Sequence, residues 1–235
     1  MPPARGETWT YESLVDALPG LDLEARSAVA LQFLGFETAV VGLAWYYGLP
    51  RGAVAGTAAV VVAAAGSVQM LRIGRAARAA DAPAAYRRLL FGSSIEVALG
   101  VLAYVALVTY LFVADTRSGG GLVADLLGPQ PPLPAVFVML LVLWDLCYRI
   151  GTGWWAAVVA LVRTVRYRAE FDADTVATLR RADRETLAFG ALQVVLVPFL
   201  LGHPPLLVAL VGHAAAVTVV AGGSLVLLKR EETRA

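Results

Sequence analysis

An all-α, polytopic membrane bundle of six transmembrane helices, with both termini cytoplasmic, is the fold this sequence predicts. Three observations point to it. Six stretches (28–49, 52–71, 89–113, 134–162, 186–203 and 205–228) are apolar over lengths close to or above the ~20 residues a helix needs to cross a bilayer. The 235 residues are 59% hydrophobic and 16% charged, with a mean hydropathy of +0.70. A soluble domain carries about 25% charge. Finally, the basic residues alternate between the two sides of the layer. With six spans, 16 of the 19 Lys and Arg fall on one side, only Arg51 and Arg117 on the other, and Arg149 within a span. Cytoplasmic flanks collect such residues.

The elements follow in order. Residues 1–27 form a cytoplasmic N-terminal segment, in which Thr10–Leu18 reads as a short surface helix stopped by Pro19-Gly20. The segment lacks the charged-then-apolar pattern of a signal peptide, so the first span is expected to insert the chain. Trp45, Tyr46 and Tyr47 end that span as an aromatic belt. The loop 72–88 carries Arg72, Arg75, Arg78, Arg87 and Arg88. The outer connection 114–133 is rich in glycine and then proline, with a short turn expected near Leu122–Leu127. Span four outruns the hydrocarbon layer and projects through Arg163, Arg166 and Arg168. The charged segment 163–185 reads as a cytoplasmic helix, capped by Asp172 or Asp174, and 229–235 is a cytoplasmic tail. These parts leave room for one membrane domain and no separate globular one.

Charge inside a bilayer is costly and is usually kept for a reason. Glu37, Glu96, Asp145 and Arg149 lie within the spans, and His213 lies about nine residues into the sixth. Asp145 and Arg149 are four apart and meet on one helix face; Thr152 falls on the same stripe. Two readings of the pair stand side by side, an internal ion pair that fixes helix rotation and a polar stripe that lines a cavity. Glu96 shares its face with Gly92, Ser93, Gly100 and Ala103, where small side chains let helices approach closely. Gln69 and Gln193 are secondary polar positions that can bond across helices. His203, before Pro204-Pro205, reads as an interfacial turn residue. Pro198 should kink span five.

The run Trp144-Asp145-Leu146-Cys147-Tyr148-Arg149-Ile150-Gly151-Thr152-Gly153-Trp154-Trp155, with the arginine-rich extension behind it, resembles uncharacterised multi-span proteins of halophilic archaea. The near-absence of lysine (only Lys229) and the acidic segments fit such a source. The resemblance implies a cell-membrane location and no known chemistry, and it assigns no functional residue.

Several classes drop out. A retinal protein needs a lysine at mid-membrane, and Lys229 is at a helix end. One cysteine, Cys147, gives neither a disulfide nor a thiolate metal site. No H-E-x-x-H, G-x-S-x-G or phosphate loop is present, so no catalytic residue, cofactor or metal is expected. A net charge of +1 offers nothing to nucleic acid. The expected partners are the lipid bilayer and further copies or subunits of a membrane complex. The first functional expectation is a small proton- or cation-handling transporter or channel, with Glu37, Glu96, Asp145, Arg149 and His213 in an acidic core. The alternative is a non-catalytic scaffold or subunit whose polar pairs serve assembly. Two three-helix halves would also be compatible with an inverted repeat.

Overall fold

The computed structural model describes residues 8–10, 25–118 and 121–232, and these residues are helical with no strand. The order is α1 (Ala25–Tyr47), α2 (Pro50–Ala79), α3 (Ala84–Phe91), α4 (Ile95–Thr109), α5 (Leu122–Leu127), α6 (Leu133–Tyr167), α7 (Ala173–Leu192), α8 (Val197–Leu200) and α9 (Pro204–Glu232). Beyond Thr10, the expected surface helix at Thr10–Leu18 lies outside the described residues.

Among the described residues, five helical segments are long and apolar enough to cross a membrane: Arg26–Tyr47, Pro50–Ala79, Ala84–Arg117, Leu133–Glu170 and Pro204–Lys229. Their outward faces are greasy, with Leu133 82% and Val219 73% exposed. Water would not tolerate so many bare apolar side chains, and lipid does. The chain is therefore an integral membrane protein by its surface as well as its composition.

Three boundaries differ from the sequence reading. The second helix does not stop near residue 71 but runs on to Ala79, because Ile73, Gly74 and Ala77 are buried on a continuing face. Much of the expected loop 72–88 is therefore helix. The third segment breaks at Gly92–Ser94, where Ser94 adopts φ +53. A glycine and two serines are weak helix formers, and serine competes for the backbone. The break puts Glu96 in the first turn of α4 rather than deep within a helix. The stretch 186–203 is also interrupted. α7 ends at Leu192, a 3-10 turn covers Gln193–Leu196, and α8 begins one residue before Pro198, which has no N–H to give.

Helices α2, α6 and α9 outrun the bilayer. The 35 residues of α6 span about 50 Å at ~1.5 Å each, against a core of ~30 Å. Their arginine-rich ends build a second tier with its own core: Trp9, Met70, Ile73, Ala77, Tyr86, Leu90, Phe91, Val159, Leu179 and Leu228 are all buried together. Trp9 sits at its centre, donating from Nε1 to the Met70 carbonyl at 3.0 Å and meeting Phe91 edge-on at 4.9 Å. Asp172 caps α7 by accepting from the Thr175 backbone N–H at 2.8 Å. That backbone bond holds the Asp172 carboxyl below the usual carboxylate range.

Glycines set the closest approaches. A Cβ on Gly151 of α6 would stand 2.9 Å from the Gly100 backbone N of α4, and one on Gly100 would stand 3.1 Å from Tyr148 Cα. These two helices touch backbone to backbone, as small residues permit in a membrane.

Candidate functional site

The structure distributes the expected polar residues over separate places. Glu37 of α1 accepts from Thr57 Oγ1 of α2 at 2.7 Å. Glu96, fully buried, accepts from Thr10 Oγ1 at 3.0 Å, so it pins the N-terminal segment to the arginine-rich end. Arg149 donates to Asp145 at 2.9 Å and approaches Met70 Sδ at 3.4 Å, with its own side chain 1% exposed. Thr152 donates to the Tyr148 carbonyl one turn back at 2.8 Å. Gln193 is buried at the start of the 3-10 turn, and Oε1 of both Gln69 and Gln193 lacks a hydrogen-bond partner among the described residues. His213 stands edge-on to Trp154 at 6.1 Å. Of these side chains, only His213 reaches an apolar cavity enclosed by the bundle.

That cavity holds about 580 Å³, inside the range of about 300–1,000 Å³ typical of ligand sites. It occupies the half of the bundle remote from the arginine-rich end. Its walls come from seven helices, among them Val40 and Leu43 of α1, Gly52, Ala55 and Gly56 of α2, Ala103, Ala106 and Leu107 of α4, Leu122 and Leu126 of α5, Val138, Val142 and Leu146 of α6, Phe199 and Leu200 of α8, and Leu206 and His213 of α9. On α2, Gly52 and Gly56 let α5 and α1 pack close, since an added Cβ would stand 3.0 Å from the Leu126 carbonyl oxygen and 2.6 Å from Val40 Cγ1, while Ala55, Ala103 and Ala106 present only methyl groups to the space. Polar groups on the wall are few, namely Tyr110, Cys147 and His213. The Cys147 thiol is buried and free of any disulfide. A wall of this kind gives water almost no hydrogen-bond partners, so water is disfavoured there. A hydrocarbon guest gains dispersion contacts on every side.

Two further constellations escape a reading of the sequence. At the cavity's far end, His203 lies between two carboxylates, with Nδ1 3.3 Å from Asp115 Oδ1 and Nε2 3.2 Å from Asp125 Oδ2. At the arginine-rich end, Arg163 Nη2 reaches both oxygens of Asp183 at 2.9 and 2.8 Å. The Ser224 hydroxyl donates to Asp183 at 2.7 Å and shares a hydrogen bond with Thr164 at 2.8 Å. The Tyr86 hydroxyl accepts from Arg163 at 3.3 Å. This cluster joins α3, α6, α7 and α9. One signal could have exposed it: Val176, Leu179, Asp183 and Thr186 recur at helical spacing, which places Asp183 on the buried stripe of α7. The His203 partners carry no comparable spacing signal.

Among the described residues, no group of three or more His, Cys, Asp or Glu side chains is arranged to hold a metal ion. No curated protein and no solved structure matches the chain. A family model does match, over residues 4–224, and by that match the chain belongs to a family of unknown function, DUF7530.

Proposed function

We propose that this protein binds an apolar, membrane-dissolved molecule, of the size of a lipid tail, in the cavity between α1, α2, α4, α5, α6, α8 and α9. The observation that carries the reading is the cavity itself: about 580 Å³, walled almost wholly by hydrocarbon, within one half of a membrane bundle. A preformed apolar pocket with a few polar groups is the usual form of such a site. In this reading residues 186–203 complete a sixth crossing through α7 and α8. The arginine-rich tier and both termini face the cytoplasm of a cell-membrane protein, and the cavity opens in the outer leaflet.

Photoactivatable lipid analogues in reconstituted vesicles test it. Labels on Leu107, Leu126 and Leu206, lost when Ala106→Trp and Ala209→Trp fill the space, support binding. Labels confined to outward residues such as Val208 and Val219, unchanged by those substitutions, would refute it.

Proton or cation movement is a second reading, favoured by one observation. Glu37 Oε2 and Glu96 Oε2 are buried and lack a hydrogen-bond partner among the described residues. A pH-driven flux in liposomes that Glu37→Gln and Glu96→Gln abolish would establish it; an absence of flux for any ion removes it.

A further inference from the structure

We propose that His203, clamped between Asp115 and Asp125, is a proton-operated latch that holds α5 across the far end of the cavity. The inference rests on reading the cavity as a binding site, and it supplies the regulation of that site.

The connectivity singles out this residue. α5 forms the end wall of the cavity through Leu122, Val123, Leu126 and Leu127. Asp125 projects from α5 with a 58% exposed side chain and reaches His203 Nε2. His203 belongs to the turn before α9: its backbone N–H donates to Leu200 and its carbonyl accepts from Leu206 and Leu207. Asp115 closes the third side, below the end of α4. Its Oδ1 faces His203 Nδ1 and accepts from the Tyr110 hydroxyl at 3.2 Å, while its Oδ2 accepts from the Leu122 backbone N–H at 2.7 Å. One imidazole thus ties the α8–α9 turn to both ends of the α4–α5 connection. The ring is buried, with 8% of His203 exposed.

The chemistry gives the latch its sign. A neutral imidazole has one N–H and one lone pair, and an imidazolium has two N–H donors. Carboxylate oxygens only accept. With both carboxyls ionised, the two links together require the doubly protonated ring. Loss of a proton turns a nitrogen lone pair toward a carboxylate, and one link fails. Asp115 is buried and kept in place by Tyr110 and Leu122, so the exposed Asp125 is the partner released. α5 then keeps its anchor at Leu122 and loses its tie to α9. The groups facing the ring are Asp115 and Asp125, with Tyr110 behind Asp115. Arg51 and Arg117, the basic residues at this end, are exposed and form no ion pair among the described residues, and Tyr46 and Tyr47 are exposed at the end of α1.

The test compares two readouts on the full chain in nanodiscs over a series of pH values from mildly acidic to mildly alkaline. The first is amide exchange of 122–128, corrected for the intrinsic pH dependence of exchange. In the unaltered protein its protection falls by about 10-fold as pH rises, the loss of one charge-assisted hydrogen bond to a half-exposed partner. His203→Gln, neutral at every pH, holds the low protection throughout. Asp125→Asn removes the pH response while leaving Asp115 in place. A flat response in the unaltered protein, or one that survives His203→Gln, overturns the latch. The second readout is the rate at which an uncharged photoactivatable diacylglycerol labels Leu126. It rises with pH in the unaltered protein and is fast at both limits in His203→Gln. A pH-dependent α5 without labelling of the cavity condemns the binding site and spares the latch. Labelling that ignores pH, with a flat α5, condemns the latch and spares the site.

Discussion

Arg163 of α6 and Asp183 of α7 meet at 2.8 Å with each side chain only 1% exposed, at the arginine-rich end of the bundle. Removing both charges from water is expensive; Tyr86 and Ser224 offset part of that cost by hydrogen bonds to the pair, Thr164 braces Ser224, and Arg163 Nε has no hydrogen-bond partner among the described residues. Arg163→Met alone strands a buried carboxylate and should cost about 3–5 kcal/mol of stability. The double variant Arg163→Met with Asp183→Leu should recover most of that loss. Unfolding in detergent by thermal or denaturant titration checks both. Equal losses in the single and double variants would show that the charges do not act as a pair.

Trp9 lies far from the spans in sequence yet is fully buried in the second tier. Its indole fills the space between Met70 and Phe91 and satisfies the Met70 carbonyl. Trp9→Ala should destabilise by about 3–5 kcal/mol through the cavity it leaves. Trp9→Phe should cost less, keeping most of the apolar volume and losing the hydrogen bond. Limited proteolysis of the N-terminal segment gives an independent check, with cleavage faster in Trp9→Ala.

The backbone contact between Gly100 and Gly151 admits no side chain without a shift of α4 or α6. Gly151→Ala should cost about 1–3 kcal/mol, the usual range for overpacking. Gly212, where an added Cβ meets nothing, is the control: Gly212→Ala should be neutral or slightly stabilising. Thermal unfolding of the two variants side by side measures the difference.

The Asp145–Arg149 pair separates structure from transport. Asp145 keeps 13% side-chain exposure and Arg149 1%, and neither lines the large cavity. Asp145→Asn should lower stability while leaving lipid-analogue labelling of the cavity unchanged. Labelling lost in this variant, with the fold intact by circular dichroism, would tie the pair to binding and contradict the proposed site.

How much of this was legible in the sequence depends on range. Apolar length and arginine bias expose most of the long helices directly, and the spacing of Asp145 and Arg149 gives their pairing, because both signals are local. The break at Gly92–Ser94 carries little signal, and Pro198 marks an interruption of 186–203 without revealing the 3-10 turn at Gln193–Leu196 ahead of it. There a weak helix former, or a proline nearby, sits inside an apolar run whose hydropathy stays high. The pairings of Arg163 with Asp183 and of His203 with Asp115 join residues 20 and 88 positions apart, and only the packed bundle brings them together. The cavity was the least legible of all. Ala55, Ala103 and Ala106 are of the residue types that also make tight helix contacts, and Gly52 and Gly56 on the same wall do make them. Whether such faces touch, as at Gly100 and Gly151, or stand apart is decided by how the helices splay.

Native mass spectrometry of the protein released from lipid nanodiscs reads occupancy of the cavity without a label. One lipid-sized adduct per chain should be retained. The adduct should persist after extensive activation and vanish when Ala106→Trp and Ala209→Trp occupy its place in a protein that still folds. A bare chain in the unaltered protein, or an adduct indifferent to the filled cavity, would contradict it.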